Sequence, residues 1–275
     1  MTANSLPSVS RFRAWRVTNV FTKSLADRTT LVVVTGSILF VLGLWMGPLY
    51  NSLEDSLAEM AADLGDAMTQ MFGDVATPEG WLNAELYSIM APAAVFYVAI
   101  SSGARTFATE AENRSIGLLA ANPISRTAIA LQKAGATALH VVTVVLLCGL
   151  GTWAGVQAGS LDIPASRVLA INLHLALLGV AVAGLAMLIS VLTGRRLISM
   201  VTTAAIVLVA YVWGTFAPQT DALDGLAVLS PWRWYFGSDP LTNGVDWADA
   251  ALLAALAAGL VAAALWSFGR RDLPG

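Results

Sequence analysis

The chain has 275 residues and a formal net charge of −3, and 57% of its residues are hydrophobic while only 12% are charged. Together with a mean hydropathy of +0.70, this composition excludes an ordinary soluble domain and predicts a polytopic membrane protein. The single cysteine, Cys148, lies in an apolar stretch, so the chain has neither an internal disulfide nor a four-cysteine metal site.

Residues 1–30 interleave five basic side chains with aromatic and aliphatic ones. This pattern is typical of a helix lying in the membrane interface, where the cations meet anionic lipid headgroups. A partly disordered basic tail is the alternative. A 20-residue apolar stretch follows without a small-residue cleavage pattern, so we interpret it as a retained first span and not as a signal peptide.

Six apolar stretches are long enough to cross a bilayer, which needs about 20 helical residues. They are residues 31–50, 86–104, 134–158, 168–192, 197–217 and 248–269. With both termini in the cytoplasm, the inner segments hold 13 of the 15 Lys and Arg residues, all except Arg167 and Arg233. The positive-inside rule therefore predicts a single all-α membrane domain with N-in, C-in topology. Its parts are an interfacial segment 1–30, a six-helix bundle 31–269 and a cytoplasmic tail 270–275.

The first external loop, residues 51–85, carries eight acidic residues and no basic one. We interpret these acids as the solvated face of a helix, since the loop has no Cys or His to complete a soft-metal site, and we predict no metal centre. Pro92 predicts a kink in the second span. His140 and His174 favour interhelical hydrogen bonding over a proton relay, because no Asp or Glu lies at mid-depth in any span.

Glycines spaced four apart occur in the first span at Gly43 and Gly47, and in the third at Gly151, Gly155 and Gly159. They offer surfaces for close helix packing, either within a subunit or across a dimer. Between the fifth and sixth spans, the aromatic sequence LSPWRWYF from residue 229 to 236 predicts a segment that dips partly into the membrane. An interfacial anchoring belt is the favoured interpretation, and an extracellular gate is the alternative.

Residues 105–133 form a polar interval with both charge signs between the second and third spans. Thr109 and Glu112 have the spacing of a capping box, which predicts a short cytoplasmic helix over about 110–121. Glu110 and Arg114 add an i,i+4 pair, while Leu118 and Leu119 offer apolar contact. Asn122-Pro123 then breaks the helix, and Ser125-Arg126-Thr127 opens the next one.

This interval resembles the first cytoplasmic loop of ABC-2 type permeases, which has an acidic cluster, a Leu-Leu helix, a Pro-x-Ser-Arg turn and a basic residue before the third span. The matching residues are Glu110, Glu112, Leu118, Leu119, Pro123, Ser125, Arg126 and Lys133. The six-span layout, the LSPWRW sequence and the terminal residues 268–273 extend the resemblance along the chain. It implies the ABC-2, type V exporter-like architecture, with an interfacial N-terminal helix and a cytoplasmic coupling helix.

The resemblance implies a permease subunit in a bacterial cell membrane that exports a hydrophobic or amphipathic substrate. Its expected partners are two ABC ATPase subunits, which bind the ATP and Mg²⁺, a second permease subunit in a homodimer or heterodimer, and lipid, but not nucleic acid. The expected coupling residues are Glu110, Glu112, Arg114, Leu118, Leu119 and Arg126. Because the family places the second and fifth helices around the substrate path, the candidates there are Phe96, Tyr97, Tyr211, Trp213 and Phe216.

The chain lacks the Gly-Lys followed by Ser or Thr that a Walker A site requires, and it lacks the common hydrolase and metalloprotease motifs. We therefore expect no catalytic residues and no cofactor in this chain. Two alternative functions remain, a secondary transporter or channel and a non-enzymatic membrane assembly factor. A copurifying ATPase separates the permease hypothesis from both.

Overall fold

The computed structural model describes residues 20–63, 74–112, 126–219 and 221–270, and the regular structure in these ranges is helical. In chain order the helices are α1 (Val20–Ala26), α2 (Thr29–Asp63), α3 (Pro78–Leu82), α4 (Met90–Glu112), α5 (Arg126–Ala158), α6 (Ala165–Thr193), α7 (Arg196–Phe216), α8 (Asp221–Ala227), α9 (Pro231–Phe236), α10 (Pro240–Asn243) and α11 (Trp247–Arg270). A π-helical turn, Asn83–Tyr87, leads from α3 towards α4, and a 3-10 turn, Ala217–Gln219, follows α7.

Six segments of the described chain are long and apolar enough to cross a membrane. They are Thr29–Leu57, Pro78–Phe107, Thr127–Ala158, Ala165–Thr193, Arg196–Gln219 and Trp247–Arg270. Helices suit this environment because every backbone N–H and C=O finds its partner within the same segment. The six predicted spans are confirmed, and each extends beyond its apolar stretch at one or both ends. The N-in, C-in orientation stays a prediction.

Helix α6 lies at the centre of the bundle and packs against α4, α5, α7, α11 and the short helices α9 and α10. In its most apolar stretch 61% of the residues are buried, against 17% in α7 and in α11. Ile171 and Leu175 on α6 are completely buried in the main core. The fifth and sixth spans therefore leave most of their apolar surface outside the subunit.

The glycine motifs of the first and third spans pack against each other within the subunit. A methyl group built on Gly47 would overlap the carbonyl oxygen of Gly155, and one built on Gly155 would overlap that of Gly43. At Gly151 it would overlap the backbone of Phe40. Only glycine lets the two backbones approach this closely. Of the two alternatives, packing within a subunit or across a dimer, these glycines therefore serve the first.

The two ends of the bundle differ in construction. In the described ranges the near end includes α1, the last turns of α4 and the start of α5, together with the start of α7 and the last turns of α11. The far end includes α3, α9 and α10. Two of these short helices are capped by side chains: Thr77 Oγ1 accepts from Gly80 N at the start of α3, and Ser230 Oγ accepts from Trp232 N at the start of α9. These caps satisfy N–H groups that a helix start leaves exposed.

Candidate functional site

The structure describes three of the six predicted coupling residues, and these three lie at the near end. Glu110 and Glu112 lie in the last turn of α4, and Arg126 is the first residue of α5. Arg114, Leu118 and Leu119 lie outside the described residues, and so does most of the predicted coupling helix. The described chain therefore places both ends of the coupling segment at the near end, and the segment itself stays a prediction.

The predicted start of that helix at Thr109 is wrong. Helix α4 runs without interruption from Met90 through Thr109 to Glu112. An N-cap residue must leave helical geometry so that its side chain can bond the first exposed N–H groups, and Thr109 is instead in mid-helix. Glu110 and Glu112 consequently belong to a rigid extension of the second span, and the capping-box interpretation of Glu112 fails.

Three hydrogen bonds tie α1, α4 and α5 together at the near end. The Phe21 N–H donates to Gln132 Oε1 at 3.1 Å, which attaches α1 to α5. Lys133 Nζ donates to the Thr106 carbonyl at 2.9 Å, which attaches α5 to α4. Arg28 donates to the Ser101 carbonyl at 2.8 Å and attaches the α1–α2 junction to α4. The two helices that flank the coupling segment are therefore fixed to each other and, through α1, to the predicted interfacial region.

Arg28 sits in an electropositive part of this near end. Burial, together with the guanidinium groups of Arg105 and Arg196, lowers the pKa of Arg28 to about 10. The side chain therefore remains charged at neutral pH. Its hydrogen bond to the Ser101 carbonyl is consequently charge-assisted. In the sequence Arg28 is one of the five interfacial cations, and no pattern there predicts its contact with the second span. Its bond to the second span joins residues 73 positions apart in the sequence.

The five aromatic candidates for the substrate path divide into two groups. Phe96 and Tyr211 turn into the bundle and line a common cavity. Tyr97, Trp213 and Phe216 lie on the outer surface, with 57%, 38% and 48% of their area exposed. The structure thus brings together two of the five residues and separates the other three from that cavity.

The cavity has a volume of about 70 Å³ and lies among α4, α6, α7, α9 and α11. Its lining is almost wholly apolar, with aliphatic side chains from α6 and α11 facing aromatic ones from α4, α7 and α9. The ring of Trp232 from α9 meets Tyr211 edge-on at 4.8 Å between centroids and Phe96 at 6.5 Å. Such a space suits a small apolar or aromatic group rather than a charged one.

Helix α9 is a wedge inserted into the far end, and this overturns part of the anchoring-belt interpretation. Trp232 and Tyr235 are buried in protein, with 6% and 0% of their area exposed, while Trp234 and Phe236 are half-buried. Ser230 Oγ also donates to the Ala210 carbonyl at 2.8 Å and fixes the start of the wedge on α7. Trp232 lies in the aromatic segment predicted from the sequence, but no sequence pattern marks it as a cavity residue.

The second span is interrupted beside the wedge, where the π-helical turn Asn83–Tyr87 precedes α4. Its wider bonding is seen in the Ser88 N–H, which donates to the Asn83 carbonyl at 2.8 Å. Pro92 has no N–H for the carbonyl of Ser88, so the helix is weakened on both sides of this point. The kink predicted from Pro92 is thus an interruption one turn before the proline.

The side chain of Tyr87 is the centre of a buried polar network in the bundle. Its hydroxyl donates to Thr152 Oγ1 at 3.0 Å and accepts from Asn172 Nδ2 at 2.8 Å. Thr152 in turn donates to the Cys148 carbonyl. The network joins the second, third and fourth spans, and each hydroxyl in it both donates and accepts. Such pairing offsets the cost of placing polar groups at membrane depth.

The two histidines have different surroundings. On His174, Nδ1 lies 3.0 Å from the Ala170 carbonyl and Nε2 lies 3.2 Å from the Asp246 carbonyl. The second contact joins α6 to the residue before α11, as expected if the histidine makes interhelical hydrogen bonds. The ring of His140 is buried and lies beside the backbone of Leu25 in α1. Across the described ranges, no group of three or more His, Cys, Asp or Glu residues is placed to hold a metal ion.

Comparison with known proteins gives one result. The family model described as "ABC-2 family transporter protein" matches residues 18–273, which include all six spans, the cavity and the wedge. No curated protein and no solved structure matches the chain.

Proposed function

Because the chain belongs to the ABC-2 transporter family, we propose that it is the permease subunit of an ATP-driven exporter energised by a separate ATPase. The observation that carries this proposal is the family match over six membrane-length helices. In this proposal the protein is a multi-pass component of a bacterial cell membrane, and two ATPase subunits bind the ATP and Mg²⁺. The cavity lined by Phe96, Tyr211 and Trp232 supports a hydrophobic or amphipathic substrate.

A second permease subunit completes the proposed transporter. The support is the large apolar area that the fifth and sixth spans leave outside the subunit. Lipid covers such a surface as well as protein does, so the area alone does not choose between a homodimer and a heterodimer. The proposal is a dimer of permeases, each with its own six-span bundle and its own near end facing an ATPase.

Coupling is proposed to act at the near end through the rigid extension of α4. A partner that pushes on Glu110 or Glu112 moves the whole second span below its interruption, because the helix is continuous from Met90. The bonds from Arg28 and Lys133 transmit the same displacement to α1 and α5. A rigid element is what an ATP-driven permease without its own nucleotide site needs in order to receive motion.

The first test is copurification from the native membrane. The affinity-tagged chain, solubilised in mild detergent, should retain an ABC ATPase, which neither a secondary transporter or channel nor a membrane assembly factor requires. Glu110→Ala/Glu112→Ala should then reach the membrane at wild-type levels, since no helix cap is lost. It should bind the ATPase poorly, or bind it and hydrolyse ATP with less transport per ATP in vesicles.

A charge-matched control separates a specific contact from general electrostatics. Glu54→Ala/Asp55→Ala also removes two carboxylates, but these are exposed and lie near the far end of α2. This control should copurify the ATPase as wild type does. Wild-type ATPase binding and coupling in the Glu110/Glu112 variant, or equal losses in both variants, would remove the α4 extension from the mechanism.

A further inference from the structure

Two hydrogen bonds connect the interrupted second span to the far end. Tyr235 on the wedge donates its hydroxyl to the Tyr87 carbonyl at 2.8 Å, and both residues are completely buried. Asn83 Nδ2 donates to Asp239 Oδ1 at 2.8 Å. The bonded groups on the second span belong to the first and last residues of the π-helical turn, so this pair of bonds clamps the whole turn.

The local structure around the Tyr87 carbonyl, Tyr235 and Asp239 favours the two bonds. The i+5 donor that a π-helical turn would offer the Tyr87 carbonyl is residue 92, and Pro92 has no N–H, so the Tyr87 oxygen is available to a side chain. Burial raises the pKa of Tyr235 well above its usual value, so its hydroxyl stays protonated and can donate. Asp239 has a left-handed backbone conformation, with φ of 47°, just before α10. Aspartate tolerates this conformation better than most residues do.

The clamp is continuous with the cavity. Tyr235 packs edge-on against Trp232 with 5.1 Å between ring centroids, and Trp232 forms part of the cavity wall. A movement that withdraws the wedge must displace Trp232 and break the bond to Tyr87. Bending the second span at its π-helical turn must break the same bond, because the carbonyl belongs to that turn.

We propose that the bonds Tyr235–Tyr87 and Asn83–Asp239 form a latch that holds the wedge against the second span and keeps the far side of the cavity closed. The latch controls access to the cavity of the proposed permease, and its role in transport rests on that proposed function. The Tyr235–Tyr87 bond is buried in the bundle, and the Asn83–Asp239 bond is partly buried at its edge. Opening exchanges them for bonds to water at the far end.

A cysteine in the cavity wall reports opening directly. Ala181 lines the cavity, has 2% of its area exposed and is close to cysteine in size, so Ala181→Cys is introduced after Cys148→Ala. The protein is placed in lipid nanodiscs, and the rate of modification by a small charged methanethiosulfonate is measured by mass spectrometry. The rate follows the fraction of time in which the cavity is open.

Two variants weaken the latch by different means, and one matched variant leaves it intact. Tyr235→Phe removes one bond and Asp239→Ala removes the other. Each should raise the modification rate about two- to tenfold, which is the effect of one hydrogen bond on an equilibrium. Tyr50→Phe also deletes a hydroxyl that donates to a carbonyl, that of Ala76, outside both latch and cavity. It should leave the rate unchanged.

A crosslink gives the opposite perturbation and guards against misfolding of the deletion variants. Asn83→Cys/Asp239→Cys, joined by a short thiol crosslinker before the reporter assay, should hold the cavity closed and lower the Ala181→Cys rate, and a reducible linker should allow its recovery. Rates in the Tyr235 and Asp239 variants equal to that of Tyr50→Phe, or crosslinked protein that opens normally, would overturn the latch.

Addition of the copurified ATPase with ATP tests the proposed function separately. Acceleration of the reporter reaction by ATP, abolished by the crosslink, supports both proposals. Latch variants that open more often while ATP has no effect retain the latch and contradict ATP-driven gating. An ATP response that is unaffected by the crosslink contradicts the latch and retains the permease.

Discussion

Replacing Gly47 by alanine tests whether direct backbone contact between α2 and α5 holds the bundle together. The added methyl group would overlap the carbonyl carbon and oxygen of Gly155. These are backbone atoms of a long helix, so they have no rotamer that moves them aside. The first and third spans must separate to accept the methyl group, and the packing on both sides of it loosens.

Two opposing effects set the size of the change. Alanine favours a helix over glycine by about 1 kcal/mol in aqueous helices, while overpacking a close contact costs about 1–3 kcal/mol. Because the overlap at Gly47 is with backbone, we expect a cost near the top of that range and a net loss of about 2 kcal/mol. At Gly259 on α11 an added methyl group meets nothing within 4 Å, so Gly259→Ala should be neutral or slightly stabilising.

The assay is thermal unfolding of the purified proteins in nanodiscs, followed by tryptophan fluorescence at one fixed scan rate. A stability change of 1 kcal/mol shifts the midpoint by about 2–4 °C in domains of 150–250 residues. Gly47→Ala should therefore melt roughly 4–8 °C below wild type, and Gly259→Ala at or above it. If the two variants melted together, backbone contact at the α2–α5 seam would not be a source of stability.

Two further predictions concern orientation and the cavity. After Cys148→Ala, a membrane-impermeant maleimide on intact cells should label Glu59→Cys and not Glu110→Cys, and labelling of the second alone would reverse the topology. In the reconstituted complex, Tyr211→Ala should change which of a panel of neutral lipophilic dyes stimulate ATP hydrolysis, because Tyr211 lines the cavity. Phe216→Ala, on the outer surface, should leave the ranking unchanged, and identical effects would exclude the cavity from the path.

Hydropathy predicted the six spans because membrane insertion depends on the summed character of about 20 consecutive residues. The predicted helix start at Thr109 depended instead on two residues. The spacing of Thr109 and Glu112 is also found inside helices, and a cap requires the backbone to leave helical geometry, which a side-chain pattern does not impose. The second span simply continues past the membrane-length stretch to Glu112.

The burial of the wedge in protein could not be predicted from its local sequence. Tryptophan and tyrosine are enriched at membrane interfaces because they combine an apolar ring with a polar tip that needs a partner. For Tyr235 the partner is the Tyr87 carbonyl, 148 positions away in the sequence. The same chemistry therefore fits a lipid headgroup or a protein interior, and only the tertiary fold decides between them.

Apolar residues alone do not distinguish the inside of this protein from its outside. Phe96 and Tyr97 are neighbours on α4, yet Phe96 faces the cavity and Tyr97 faces outward, because one residue turns a helix by about 100°. Lipid accepts either ring, so no hydrophobic pattern marks the buried face. Small and polar positions do mark it, since Gly47 needs a close backbone and Asn172 needs a hydrogen-bond partner. In this chain such positions are therefore the stronger sequence evidence for which surfaces of the spans meet.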